Sequence, residues 1–149
     1  MELKILKKYI LKAKISVKNK KSNSSLSILI PARNEEDNIE KCLRSLIADD
    51  NPNFEFLILD DNSKDQTSNI VENLSKIDPR INLIKGSKLP KDWSGKNWAC
   101  HQLSSKAKSD FILFIDADTW VSNQTINKAI CYICLLYTSD AADERSSVD

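Results

Sequence analysis

At 149 residues, the chain is long enough for one domain with a sizeable hydrophobic core. Its formal net charge of +1 gives no overall attraction to nucleic acid. Gly86 and Gly95 are its only glycines, which excludes the glycine-rich loops of dinucleotide-binding and P-loop proteins.

The N-terminal segment, residues 1–25, is strongly basic, with eight lysines and a single acid, Glu2. Apolar residues recur in it at helical spacing, so a basic amphipathic arm is predicted. Such an arm can bind an anionic membrane surface through residues 1–21, which predicts a cytoplasmic protein at the inner face of the cell membrane. A solvated leader helix followed by a flexible tract is the alternative.

From residue 26 onward, short apolar runs alternate with amphipathic helical stretches. Strands are predicted at 26–30, 54–59, 81–84 and 111–115. Helices are predicted around the apolar stripes of 39–47, 70–77, 96–108 and 126–133. Predicted caps are Asn34 for the first helix, Ser63 with Gln66 for the second, and Asn123 for the last. This alternation predicts an α/β fold with a parallel sheet flanked by helices and right-handed crossovers.

The stretch Phe111–Thr119, FILFIDADT, is the most informative part of the chain. Its uninterrupted apolar run predicts a central strand that is buried on both faces. Asp116 and Asp118 follow it and are expected to point to the same side. Ligands of open α/β sheets bind at the carboxyl ends of the strands, where two carboxylates suit a divalent cation that also binds phosphate. An acidic loop without a ligand is the alternative.

The C-terminal stretch differs in character from the rest. Residues Cys134–Glu144, CLLYTSDAADE, resemble a translated sequencing adapter. Residues 134–149 are therefore expected to be non-native, with the natural protein cut near Ile133. The C-x-x-C of Cys131 and Cys134 is then no evidence for a zinc site. The four cysteines form no disulfide framework, which favours a reducing, cytosolic setting.

Four motifs occur in order: PARNEE after the first strand, DDNSKDQT after the second, LPKDWSGKNWACHQ before the third helix, and DAD after the fourth strand. Together they resemble glycosyltransferase family 2, and within it the carotenoid-acid and hopanoid-associated lipid glycosyltransferases. The resemblance implies a GT-A fold, Rossmann-like and here truncated. Residues 26–133 would form the incomplete nucleotide-sugar-binding half.

The same resemblance implies the roles of individual residues. It places Asp61 at the uracil imide, Lys96 near the phosphates and sugar, and Asp118 on a divalent metal, Mg²⁺ or Mn²⁺. Asp116 is a second residue at this metal and lies nearer the ribose. The implied nucleotide-sugar-binding residues are Pro31, Ala32, Glu35, Asp61, Lys96 and Asp116.

The implied activity is transfer of a sugar, from a UDP-sugar, to a hydroxyl or carboxyl group of a lipid-like or glycan acceptor. The reaction would be metal-assisted and inverting. Its catalytic base is expected beyond Ile133, so the chain as given is expected to be inactive; His101 is not assigned as the base. A nucleotide-binding pseudo-enzyme or regulatory module of the same fold is the alternative. A purely structural domain would not explain three strand ends that carry acids.

Overall fold

A computed structural model describes residues 24–122 and 124–133 of the protein. The predictions for the arm at 1–25, for the Asn123 cap and for the tail at 134–149 therefore fall almost wholly outside the described residues. Within them, no helix is long and apolar enough to cross a bilayer.

Four parallel strands form one sheet in the order β3-β2-β1-β4. The strands are β1 (Leu26–Ala32), β2 (Phe54–Asp60), β3 (Ile81–Lys85) and β4 (Phe111–Phe114). The helices are α1 (Ile39–Ile47), α2 (Thr67–Ser75), α3 (Gly95–Ser104) and α4 (residues 125–133). The predicted alternation of strands and helices, and the parallel α/β sheet, are confirmed.

The strand order fixes the place where a ligand can bind. The chain runs from β1 through β2 to β3 and then returns to the other side of β1 as β4. Because crossovers are right-handed, this reversal puts α3 on the opposite face of the sheet from α1 and α2. The carboxyl ends of β1 and β4 flank the point of reversal, which is where open α/β sheets bind ligands.

Apolar side chains on both faces of the central strands hold the sheet between these helices. On one face, α3 packs against β1 and β2. On the other, α2 packs against β3 and β2, and α1 packs against α2. The core on the α3 face consists of Leu29, Leu57, Leu59, Ala99 and Leu103. Burial of this kind, at about 25 cal/mol per Å² of apolar surface, is the main stabilising contribution.

The first helix has the predicted stripe but not the predicted cap. Ile39, Cys42, Leu43 and Leu46 are all buried, at the spacing of one helical face. Asn34 does not cap the helix, because the N-cap position is Asn38. The Asn34 side chain instead accepts a hydrogen bond from the Lys64 nitrogen (2.8 Å).

The capping box predicted for the second helix is also wrong. The helix begins at Thr67, and Gln66 occupies the N-cap position without a side-chain cap bond. The Ser63 hydroxyl accepts from the Asn34 nitrogen (3.0 Å). In both cases, a side chain that local sequence rules assign to a helix cap forms a hydrogen bond between the two loops instead.

The strand β4 is an edge strand of the described sheet and not a central one. It pairs with β1 alone among the described strands. Ile112 and Phe114 alternate along it and are each 47% exposed. An apolar run shows that a segment favours a strand, but it does not reveal how many neighbours the strand will have. The central positions belong to β1 and β2, whose residues are almost all buried.

Candidate functional site

A cavity of about 320 Å³ lies at the carboxyl ends of β1 and β4. It contains all seven residues that the sequence singles out. Four further residues, Arg33, Gly95, Ala99 and Ala117, were not singled out. The full lining is Pro31, Ala32, Arg33, Glu35, Asp61, Gly95, Lys96, Ala99, Asp116, Ala117 and Asp118.

Asp60, the last residue of β2, and Asp61, which follows it, have different environments because successive side chains of a strand point to opposite faces. Asp60 is buried on the α2 side, where it accepts hydrogen bonds from the Ser63 nitrogen (2.9 Å) and the Ser68 hydroxyl. Burial raises the pKa of Asp60, but these hydrogen bonds and the charge of Lys85 outweigh it, so the net pKa is lowered. Asp61 instead lines the cavity. Asp60 thus supports the loop, whereas Asp61 is available to a ligand.

Asp61 is fixed at the cavity by its backbone and by a neighbouring charge. Its nitrogen donates to the Ala32 carbonyl (2.8 Å), which ties it to the end of β1. Its carboxylate lies 3.4 Å from an Arg33 guanidinium nitrogen. A Cβ added at Gly95 would lie 3.5 Å from the same carboxylate, so the start of α3 closely approaches Asp61. Arg33 follows Pro31-Ala32 directly, and that position is the only sequence signal that could have identified it.

Reciprocal hydrogen bonds join the loops after β1 and β2. The Asn34 nitrogen donates to Ser63, and the Lys64 nitrogen donates back to the Asn34 side chain. The Glu35 nitrogen donates to the Thr67 hydroxyl (2.8 Å). Asn34 adopts a positive φ of 54°, which asparagine tolerates better than most residues. These bonds fix the backbone that holds Glu35 beside the cavity.

The opposite wall carries a lysine and the two aspartates of the DAD motif. Lys96 stands in the first turn of α3, which the Ser94 hydroxyl caps by accepting from the Asn97 nitrogen (3.4 Å). Its ammonium lies 2.8 Å from an Asp116 carboxylate oxygen. That hydrogen bond, together with the negative charge of Asp116, raises the pKa of Lys96. Lys96 is therefore a cation at neutral pH and points into the cavity mouth.

Asp116 and Asp118 lie on one side of the chain, as predicted, although a turn and not a strand places them there. The Thr119 nitrogen donates to the Asp116 carbonyl (3.0 Å), which closes the turn. Among the described residues, no group of three or more His, Cys, Asp or Glu side chains is arranged as a metal site. Two carboxylates nevertheless fit Mg²⁺ or Mn²⁺ here, because such ions take one or two protein carboxylates and complete their shell with phosphate oxygens and water.

A buried cysteine lies behind the DAD turn. The Cys42 sulfur is 4.0 Å from the Asp116 carbonyl oxygen. Burial, followed by the charges of Asp118 and Glu35, raises the pKa of Cys42 to about 12. The thiol is therefore protonated and packs as a small apolar group with a weak donor. Helical periodicity identifies Cys42 as core but gives no sign of its contact with the site.

Comparisons with known proteins identify the family of this chain. Residues 27–145 match the family model described as glycosyl transferase family 2. The chain belongs to glycosyl transferase family 2. This confirms the resemblance found in the motifs. The matched range includes residues 134–145, and the assignment of 134–149 as non-native stays a prediction.

Over the aligned stretch of 109 residues, two curated relatives are identical to this family 2 chain at about a third of the positions. It is 32% identical over 109 residues to 4,4'-diaponeurosporenoate glycosyltransferase of Staphylococcus haemolyticus, covering 73% of this chain and 28% of that protein. It is 34% identical over 109 residues to the poly(ribitol-phosphate) beta-N-acetylglucosaminyltransferase TarS of Staphylococcus aureus, covering 72% and 18%. The chain thus spans less than a third of the length of these relatives.

Solved structures confirm the GT-A fold. The crystal structure of S. aureus TarS with UDP-GlcNAc is 33% identical, has a TM-score of 0.56 and matches over 73% of this chain and 31% of that one. A mannosyltransferase of Pyrobaculum calidifontis, in complex with GDP-Man and Mn²⁺, is 20% identical with a TM-score of 0.62, over 86% and 39%. At that identity, the second likeness shows the fold alone.

Proposed function

We propose that this chain binds a UDP-sugar and is the donor-binding part of a glycosyltransferase. One observation carries the proposal: three strand ends and the first turn of α3 bring all seven predicted residues to one cavity. These residues differ from those of a simple acidic loop, because Lys96 and the end of β1 line the cavity together with the carboxylates. The TarS complex with UDP-GlcNAc supports the class of donor.

The nucleobase end of the cavity lies beside β1. Asp61 would accept a hydrogen bond from the uracil imide, and the backbone at Pro31 and Ala32 would lie against the base. The Arg33 guanidinium lies 3.4 Å from the Asp61 carboxylate, so Arg33 also borders this end of the cavity. Glu35 stands on the loop that is tied to residues 63–67 and borders the same end.

The diphosphate end lies beside α3 and the DAD turn. Lys96 would donate to a phosphate oxygen, with its charge kept by Asp116. Asp118, with Asp116, would hold Mg²⁺ or Mn²⁺, and the bound ion neutralises charge on the departing diphosphate. The mannosyltransferase that shares this fold was solved in complex with Mn²⁺.

The acceptor is proposed to be a lipid or a glycan. Besides the 4,4'-diaponeurosporenoate glycosyltransferase and the poly(ribitol-phosphate) beta-N-acetylglucosaminyltransferase, the relatives include, at 33% identity, a beta-monoglucosyldiacylglycerol synthase of Trichormus variabilis. The resemblance to family 2 implies that the general base of an inverting transfer comes from a later motif, so we assign it beyond residue 133. Residues 1–133 alone should then not release UDP in the presence of acceptor.

Three matched substitutions test the donor site. Asp118→Asn keeps the size of the side chain but removes a charged metal ligand, so Mn²⁺-dependent affinity for UDP should fall about tenfold or more. Asp61→Asn presents an amide donor to the uracil imide, which also donates, so affinity should fall both with and without Mn²⁺. Asp37→Asn is the control, since Asp37 is exposed and outside the cavity lining. Asp110 would be a poor control because its carboxylate accepts two hydrogen bonds from Ser25.

Calorimetric titration with UDP, with and without Mn²⁺, measures all three variants. Equal and small effects of the three changes would mean an acidic loop and would overturn the donor-site proposal. Unchanged Mn²⁺ dependence in Asp118→Asn, with Asp61→Asn impaired, would remove only the metal assignment.

A further inference from the structure

The α3 face of the molecule carries an unusual concentration of positive charge beside exposed apolar side chains. Residues 86–108 contain five lysines and one acid, Asp92, although the whole chain has a net charge of only +1. We name the following five exposed residues of this stretch the basic aromatic surface: Lys88, Leu89, Lys91, Trp93 and His101.

Two large apolar side chains of this surface face solvent. Leu89 is 48% exposed and Trp93 is 41% exposed. Neither Lys88 nor Lys91 forms an ion pair with another described residue. Trp120, which is also exposed, differs because the Lys41 ammonium covers its ring at 3.5 Å.

The surface is held in place by packing on α3. The Trp93 ring lies 5.2 Å from the Trp98 ring and 5.0 Å from the His101 ring, measured between centroids. The Trp98 indole nitrogen donates to the Ser87 carbonyl (3.3 Å), and the Ser87 nitrogen donates to the Gln102 side chain (2.8 Å). Both ends of the segment that carries Leu89 and Lys91 are therefore attached to the helix. A segment held at both ends loses less backbone entropy when it binds a partner.

This surface adjoins the candidate donor site. The segment that ends at Trp93 leads within two residues to Gly95, and Gly95, Lys96 and Ala99 of α3 line the cavity. A partner that binds the basic aromatic surface would therefore lie near the cavity.

We propose that the basic aromatic surface docks on an anionic lipid bilayer. The chemistry favours a bilayer in two ways. Tryptophan has a large apolar ring and one polar N–H, which suits the boundary between headgroups and acyl chains. The neighbouring lysines can pair with lipid phosphates. The exposed leucine between them can insert among the acyl chains while the lysine ammonium groups stay at the headgroups. A neutral glycan would use the aromatic rings but not the lysine charges.

Docking does not depend on nucleotide binding, so this inference and the proposed function can fail separately. It also concerns a different part of the chain from the predicted arm at 1–21. If both parts touch one bilayer, their affinities multiply, so weakening the basic aromatic surface lowers binding even with the arm intact.

The test is sedimentation of the full chain with vesicles of phosphatidylcholine alone or with an equal share of phosphatidylglycerol. Lys88→Gln/Lys91→Gln should lower the partition coefficient for the anionic vesicles about tenfold or more. Leu89→Ser should lower it about fivefold, because half of the side chain is already buried in the protein. Neutral vesicles should bind the unchanged chain weakly.

Matched controls carry the same chemical changes away from this surface. Ile77→Ser removes an apolar side chain that is 67% exposed, and Lys64→Gln/Lys76→Gln removes two exposed lysines near α2. Both should bind anionic vesicles within about twofold of the unchanged chain, with thermal unfolding showing that every variant is folded. Equal binding by the basic aromatic variants and the unchanged chain overturns the proposal. Equal loss in the control variants also overturns it, because it would mean attraction by net charge alone.

Discussion

Replacing Lys96, which forms an ion pair with Asp116, should weaken UDP binding while leaving the free energy of unfolding almost unchanged. The two charged atoms of the pair are 2.8 Å apart, but the side chains are 66% and 57% exposed. Exposed pairs contribute about 0–1 kcal/mol, so Lys96→Gln should change the free energy of unfolding by less than about 0.5 kcal/mol. A charge-assisted hydrogen bond to a phosphate contributes about 1.5–3 kcal/mol, so affinity for UDP should fall roughly tenfold to a hundredfold.

Calorimetry with UDP and with uridine, both in the presence of Mn²⁺, shows whether the lost affinity comes from the phosphates or from the nucleoside. Lys96→Gln should weaken UDP and leave uridine unchanged, because uridine has no phosphate. Lys106→Gln is the matched control, since Lys106 follows α3 and lies outside the cavity lining. An unchanged dissociation constant for UDP would refute the assignment of Lys96 to the diphosphate. A fall in melting temperature beside an equal loss of both ligands would refute it too, since Lys96 would then act on the fold.

Two further predictions concern the loop that joins α1 to β2. Arg80→Gln should lower the free energy of unfolding by about 2–4 kcal/mol in urea titrations, because the mostly buried guanidinium donates to the carbonyls of Ile47, Asp49 and Asn51. An effect as small as that of Lys106→Gln would contradict this. Arg80 also donates to Asp78 and lowers the pKa of that carboxyl, so the pair stabilises the fold above the ordinary aspartate pKa and less as pH falls through the lowered value. Urea midpoints between about pH 7 and pH 3 should therefore fall less steeply in Asp78→Asn, and parallel curves would contradict the assignment.

The sequence predicted the strands and the parallel sheet well, because both rest on strong local signals, and the seven residues proposed for the site line one cavity. Apolar runs located β1 to β4, and acids after three of them marked the edge where strand ends meet. The DAD aspartates face one cavity as expected, even though a turn replaces the predicted extension of the strand. What remains a prediction is the role of each residue toward a nucleotide.

The parts that failed depend on contacts between distant segments. Asn34 and Ser63 have the residue types of helix caps, but each bonds the loop of the other. The burial of β4 was overestimated, because hydrophobicity does not encode the order of strands. Arg33 was missed for a similar reason, since only the fold brings it within 3.4 Å of Asp61.

The pairing of β1 with β4 has a consequence for how the molecule assembles. Ser25 and Asp110 are 85 residues apart and are joined by hydrogen bonds at the start of the two strands. Closing so long a loop costs more entropy than pairing β1 with β2, and it slows folding. We infer that β1, β2 and β3 associate first and that β4 docks last. Asp116 and Asp118 follow β4 closely, so the wall of the cavity that carries them would be completed only in the final step of folding.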